Sequence, residues 1–177
     1  LATLELTGLT EHVSTTWVRN IKGASGWEIA SGDDPLFSEL FLHGVYKQLE
    51  PELEHVPSVP LLVDLSSKRL LSTSSSQLTR FFSQGMNGAY GVKRDLCPVE
   101  LTEEIDSMNA WLHANINRAV YQVGFANEQA DYETKVIKLF QSLDELEARL
   151  TESPYLLGNK LTESDLYLLA TLARFDS

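Results

Sequence analysis

The chain has 177 residues, 14 basic and 25 acidic side chains for a net charge of −11, one cysteine and 43% hydrophobic residues. That length suits one large domain or two small ones, and the hydrophobic fraction excludes wholesale disorder. A single Cys excludes an intramolecular disulfide framework and a multi-cysteine zinc site, and the acidity argues against non-specific nucleic-acid binding, which runs on phosphate neutralisation by Lys and Arg. No apolar run approaches the ~20 residues of a membrane-spanning helix. The charge is uneven: residues 1–94 carry eight basic and ten acidic groups, residues 95–177 six and fifteen. The step points to two differently built halves.

In chain order, Leu1 to Leu9 reads as the last turns of a helix, and the start at Leu1 without an initiator Met is expected to lie inside a longer gene product. His12 to Val18, rich in Val, Thr and Trp, reads as a strand. Asn20 to Pro35, with Gly23, Gly26 and Gly32, reads as a long loop. Leu36, Phe37, Leu40, Phe41, Val45, Tyr46 and Leu49 then form a helical stripe. Val59-Pro60-Leu61-Leu62-Val63, a turn at Ser66 to Lys68 and Arg69 to Ser72 read as a hairpin, and the serines from Thr73 to Ser76 as the start of a helix carrying Leu78, Phe81 and Phe82. Ser83 to Pro98, with three glycines and no clear period, reads as a linker.

Beyond Pro98 the pattern is helical. Glu100 to Asn117 carries Leu101, Ile105, Met108, Trp111, Leu112 and Ile116, and Tyr132 to Leu150 repeats the stripe. At Thr162-Glu163-Ser164-Asp165 the spacing predicts a capping box, with Asp165 reaching back to the Thr162 amide. His12, His43, His55 and His113 show no ligand spacing, so no metal is expected.

A strand–helix–strand–strand–helix unit followed by helices only resembles the glutathione transferase fold, an α/β thioredoxin-like part followed by an all-α domain. The implied division is a partial thioredoxin-like domain over 1–85, a linker over 86–98 and a partial all-helical domain over 99–177. Within that superfamily, Asn115 to Ala126 (NINRAVYQVGFA) is similar to the N-I-N-x-x-V-Y-x-x-G-F-A segment of the glutathionyl-hydroquinone reductases, or Xi-class, omega-like glutathione transferases. Asp95-Leu96-Cys97-Pro98 resembles that family's D-L-Y-P, and Gly26-Trp27 its N-G-W element. Tyr155 to Gly158, Leu161 to Asp165 and Arg174-Phe175-Asp176 resemble its last conserved block. The resemblance also implies that both ends of the chain are cut, the sequence opening within the first helix and stopping where the family continues.

The resemblance implies a cysteine thiolate that attacks the sulfur of a glutathionyl-hydroquinone, releases the hydroquinone and is resolved by a second glutathione. The family's Cys-Pro-Trp nucleophile would lie before Leu1, so no catalytic residue is expected in this chain. Cys97 aligns with the tyrosine of D-L-Y-P and reads as an apolar filler. The implied glutathione-binding residues are Trp27, Val59, Pro60, Ser74 and Ser75, with Val59-Pro60 matching the family's V-P and its cis proline. Tyr121 matches a tyrosine of the acceptor pocket. Each has a plainer reading: Trp27 as a loop tryptophan over the core, Pro60 as a trans proline at a strand entry, the serines as a cap, Tyr121 as a packing residue. Ser74 replaces the family's glutamate, Val63 its usual Trp, and Val56 falls near an expected Arg. The implied partners are glutathione as co-substrate and a quinone-type molecule, in a homodimer or protein assembly, with no nucleic acid, in a reducing compartment such as cytosol or organelle stroma or matrix. The alternative is a catalytically inactive interaction or structural subunit of a larger assembly that keeps the fold.

Overall fold

The computed structural model describes every residue except Ser31, Asp33, residues 53–55, Asn87, Gly88, Asp176 and Ser177. His55 and Asp176, both singled out from the sequence, therefore lie outside the described residues. The chain forms two compact units, one of Leu9–Phe81 and one of Leu1–Gly8 with Phe82–Ser177.

The first helix, α1 (Ala2–Thr7), stops at Gly8, whose φ of +78° is the left-handed conformation that glycine adopts without steric cost. The site is also tight, because a Cβ on Gly8 would sit 2.8 Å from the Lys93 side chain. The Thr7 carbonyl accepts the Lys93 amide at 2.9 Å, which fastens α1 within its unit.

In the Leu9–Phe81 unit the predicted strand over His12 to Val18 does not form. The His12 and Val13 amides both donate to the Leu9 carbonyl, so the first half of that stretch is a turn, and only Val18 reaches a bridge, with Ile29. Ile29 is buried, and its neighbour Glu28 bridges in turn to Phe41. The predicted loop thus contains a short extended run between two others.

The helix predicted from Leu36 begins only at Leu42, as α2 (Leu42–Leu49). Asp34 explains the difference. Its buried carboxylate accepts the Leu36 and Phe37 amides at 2.9 Å each and the Glu39 amide at 2.6 Å. A short acidic side chain that collects nearby amides offers the backbone an alternative to helix, and here it wins for one turn and a half. Leu40 and Phe41, apolar stripe residues in the sequence, become the extended partners of Glu28 and Ile29.

The hairpin forms where the sequence places it, as β1 (Leu62–Asp64) and β2 (Arg69–Ser72), antiparallel with Leu62 opposite Ser72 and a bulge after Leu62. Asp64 organises its turn, accepting from the Ser66 and Ser67 hydroxyls at 2.7 and 2.8 Å and from the Ser66 amide at 2.9 Å. Ser74 then caps α3 (Ser75–Arg80), which runs on into a π-type turn over Phe81–Gly85.

The helical unit is built around Met108, Leu112, Ile116, Leu139, Leu146, Leu156 and Leu168. These come from α4 (Thr102–Leu112), the π-type turn His113–Asn117 that extends it, α6 (Gln129–Glu152), the loop after it, and α7 (Glu163–Leu172). Between the π turn and α6 lies the short α5 (Ala119–Gly124). The predicted capping box at α7 is present: one Asp165 oxygen accepts the Thr162 amide at 2.8 Å, and the other accepts the Leu156 amide at 2.8 Å. The stretch read as a linker ends in an ordered knot. Ser83 accepts the Leu96 amide at 2.8 Å, Asp95 accepts the Cys97 amide at 2.9 Å, and the Leu96 carbonyl accepts the Glu163 amide at 2.8 Å. Among the described residues no helix is long and apolar enough to cross a membrane.

Candidate functional site

An antiparallel hairpin brings its entry and its exit to the same end. With Leu62 opposite Ser72, the residues just before Leu62 and just after Ser72 leave the ladder together. Four of the residues implied from the sequence lie on these two exits: Val59 and Pro60 on one, Ser74 and Ser75 on the other. The Val59-Pro60 peptide bond is cis.

What this end offers chemically is unpaired backbone. Val59 is 51% exposed, and among the described residues neither its N–H nor its C=O has a hydrogen-bond partner. Ser75 and Ser76 open α3 with exposed amides that have no partner there either. The first amides of a helix are left over by helix geometry and carry the positive end of its dipole. An extended ligand with a peptide group and a carboxylate would meet both needs.

The serines arrange themselves around these donors. The Ser74 hydroxyl takes the Gln77 amide at a long 3.4 Å and pairs with the Ser76 hydroxyl at 2.9 Å. Ser72, on β2, accepts the Ser74 amide at 3.1 Å and donates to the Gln77 side chain at 2.8 Å. Val63, where the family has Trp, is half-buried on β1, and Val56, near the expected Arg, is exposed. No positive side chain is supplied by either position.

Trp27 sits in the central extended run of the same unit, half-buried, with its carbonyl accepting the Leu42 amide at 2.8 Å. It is thereby tied to the start of α2. Farther along α2, the buried Tyr46 donates its hydroxyl to the Ser58 carbonyl at 2.8 Å. Sequence reasoning counted Tyr46 only as a stripe residue; the signal it carried was a polar tip that a buried tyrosine must satisfy. Ser72 was likewise passed over as a strand end.

Tyr121 belongs to the other unit. It lies on α5, 61% exposed, stacked on Phe125 with ring centroids 6.4 Å apart. The π turn before it is held by Asn117, whose side-chain amide donates to the Tyr167 carbonyl at 3.0 Å and the Thr171 hydroxyl at 2.6 Å on α7, while the Arg118 amide reaches back five residues to His113. Asn117 of the NINRAVY segment therefore fixes the turn that leads into α5, and Tyr121 with Phe125 at the helix end lie exposed. In the same unit a cleft of about 540 Å³ is lined by Glu103, Glu104, Glu145, Met108 and Leu146, and none of the sequence-implied residues lines it.

Electrostatics at the hairpin are concentrated at its far turn. The Ser66 and Ser67 hydroxyls, and then their amides, hold the Asp64 carboxyl down to about 2 from an ordinary 3.8. Cys97 is fully buried, with its backbone engaged by Asp95 and Gln84. Among the described residues no group of three or more His, Cys, Asp or Glu side chains is placed to hold a metal ion.

Residues 129–177 match the family model described as glutathione S-transferase, C-terminal domain. The chain is 35% identical over 176 residues to the glutathionyl-hydroquinone reductase PcpF of Sphingobium chlorophenolicum, covering 97% of this chain and 56% of that protein. Its fold is similar to that of glutathione transferase Xi 1 from Trametes versicolor (TM-score 0.91, 36% identity, 98% of this chain and 63% of the other). It is equally similar to the glutathione-bound structure of YqjG, a glutathione transferase homologue from Escherichia coli K-12 (TM-score 0.92, 33% identity, 98% and 58%). The chain spans about half the length of the curated relatives it matches. By sequence and by fold, the chain is similar to the Xi-class glutathione transferases and to the glutathionyl-hydroquinone reductases.

Proposed function

We propose that the Leu9–Phe81 unit binds glutathione at the open end of the β1–β2 hairpin, and that the protein serves in glutathione-dependent reduction of glutathionyl-hydroquinones. The observation that carries this reading is that both hairpin exits hold backbone groups with no partner among the described residues, at Val59 and at Ser75-Ser76. Val59 has one donor and one acceptor for the cysteinyl part of the tripeptide. The α3 amides face the γ-glutamyl carboxylate, where the helix terminus favours an anion. Trp27 and Pro60 supply apolar surface, and Ser74 and Ser75 supply hydroxyls. Tyr121, with Phe125, offers aromatic surface suited to a hydroquinone ring.

In the reaction, a thiolate that this chain does not contain attacks the glutathionyl sulfur. The carbon–sulfur bond breaks, the ring carbon takes a proton, and a mixed disulfide forms. The thiolate of a second glutathione then attacks that disulfide, regenerating the enzyme thiolate and leaving oxidised glutathione. The part assigned to this chain is to hold glutathione in register for those steps.

Ser74 weakens that hold, because a hydroxyl cannot make the charge-assisted bond to the ligand ammonium that the family's glutamate makes. Titration calorimetry of the chain with reduced glutathione is therefore expected to give saturable, weak binding, on the order of millimolar. Absence of saturable heat at tens of millimolar, with the chain folded by circular dichroism, overturns the reading and favours the inactive-subunit alternative.

A further inference from the structure

We infer that Tyr46 is a positioning residue for glutathione, aiming the Val59 amide at the ligand without touching it; this rests on the reading just proposed. The bond from the Tyr46 hydroxyl to the Ser58 carbonyl is 2.8 Å long and spans twelve residues of sequence. Tyr46 is 2% exposed, whereas Ser58 is exposed, so the phenol reaches outward from the unit's interior to a surface strand entry. Ser58 is the residue immediately before Val59.

The consequence follows from peptide geometry. The Ser58 carbonyl and the Val59 N–H belong to one rigid plane, and across a trans bond they point in opposite directions. A buried donor that pulls the carbonyl inward turns the amide outward. Val59 N–H is the group that has no partner among the described residues, and it lies on the hairpin exit beside the start of α3. Without the phenol, the Ser58–Val59 plane can rotate about its flanking bonds, and the amide must be ordered again when ligand binds. The same helix donates the Leu42 amide to the Trp27 carbonyl, so α2 is bonded both to the Trp27 segment and to the segment that leads into Val59.

Tyr46→Phe tests this, since it keeps the buried ring and removes the one hydroxyl. Glutathione affinity by calorimetry is expected to fall about five-fold, equivalent to ~1 kcal/mol. Val45→Ala is the control: Val45 is buried in the same helix, and its truncation destabilises the unit while leaving the phenol in place. It is expected to lower the melting temperature at least as much as Tyr46→Phe and to bind glutathione as the wild type does. Unchanged affinity in Tyr46→Phe overturns the proposal, and so does an equal loss in both variants, which would make Tyr46 merely structural. A wild-type chain that binds no glutathione overturns the underlying functional reading, and the positioning role falls with it. A wild type that binds, beside variants that do not differ, overturns the positioning role alone.

Discussion

The two units solve the folding problem differently. The helical unit relies on side chains that lose all contact with water: Leu112, Ile116 and Ile105 are 0% exposed, and Leu156 is 1%. Among the described residues, the Leu9–Phe81 unit has two strands of three and four residues, isolated bridges and helices of eight and six residues. Beside a buried apolar set that includes Leu9, Ile29, Leu42 and Tyr46, its loops are ordered by short polar side chains that gather amides: Asp34, Asp64, Ser72 and Ser74. Hydrophobic burial is non-directional and cooperative, whereas these bonds fix individual peptide planes. The difference teaches where a ligand surface belongs. A unit held by local capping can leave selected amides unpaired at its surface, and a packed helical bundle leaves few outside its helix ends.

Paired truncations probe that contrast most strongly. Ile116→Ala is expected to cost about 3–4 kcal/mol in chemical denaturation, as buried large-to-small changes do. Asp34→Ala strips three amides of a carboxylate acceptor and is expected to cost about 2–3 kcal/mol. The contrast predicts different local signatures: with Trp17 and Trp111 replaced by Phe, so that fluorescence reports Trp27 alone, Asp34→Ala alters the emission and Ile116→Ala leaves it unchanged. The same signature in both variants would break the comparison.

A smaller effect sharpens the functional half. Ser74→Glu restores the acidic residue of the family and is expected to tighten glutathione binding about five-fold through a charge-assisted bond, while losing a cap worth about 0.5–1 kcal/mol. Calorimetry and thermal melting read the two effects separately. Tighter binding with lower stability fits a ligand surface that was traded for a simple cap.

The smallest effect is at Asp64. Its folded pKa of about 2 lies below the ordinary 3.8. The carboxylate therefore adds stability above pH ~4, and that contribution is lost as pH falls through about 2. An NMR titration of the Asp64 carboxyl should show that midpoint. Replacing both Ser66 and Ser67 by Ala should return it toward 3.8, since their hydroxyls are the main cause of the shift.

Much of this molecule was legible in order. The capping box at Thr162 and Asp165, the hairpin at Leu62 to Ser72, the Ser74 cap and the stripe of α6 follow from local spacing, and local spacing is what helices and tight turns obey. The failures have one cause in common. At His12 to Val18 and at Leu36 to Phe41, residue types favoured strand and helix. Side chains and carbonyls at other positions, Asp34 and Leu9, claimed the amides those elements needed. Periodicity registers apolar faces and does not register competition for a backbone donor.

The sequence by itself pointed to the family, the helical half and the candidate glutathione-binding residues, because these rest on residue types at fixed local spacing. Only the tertiary structure decided which of those candidates share a surface. The pairing of Leu62 with Ser72 carries Val59 and Ser75 to one end, and the Tyr46 hydroxyl, twelve residues away, bonds the Ser58 carbonyl of the peptide that leads into Val59. The orientation of that peptide depends on a side chain from another element, and no local pattern encodes it.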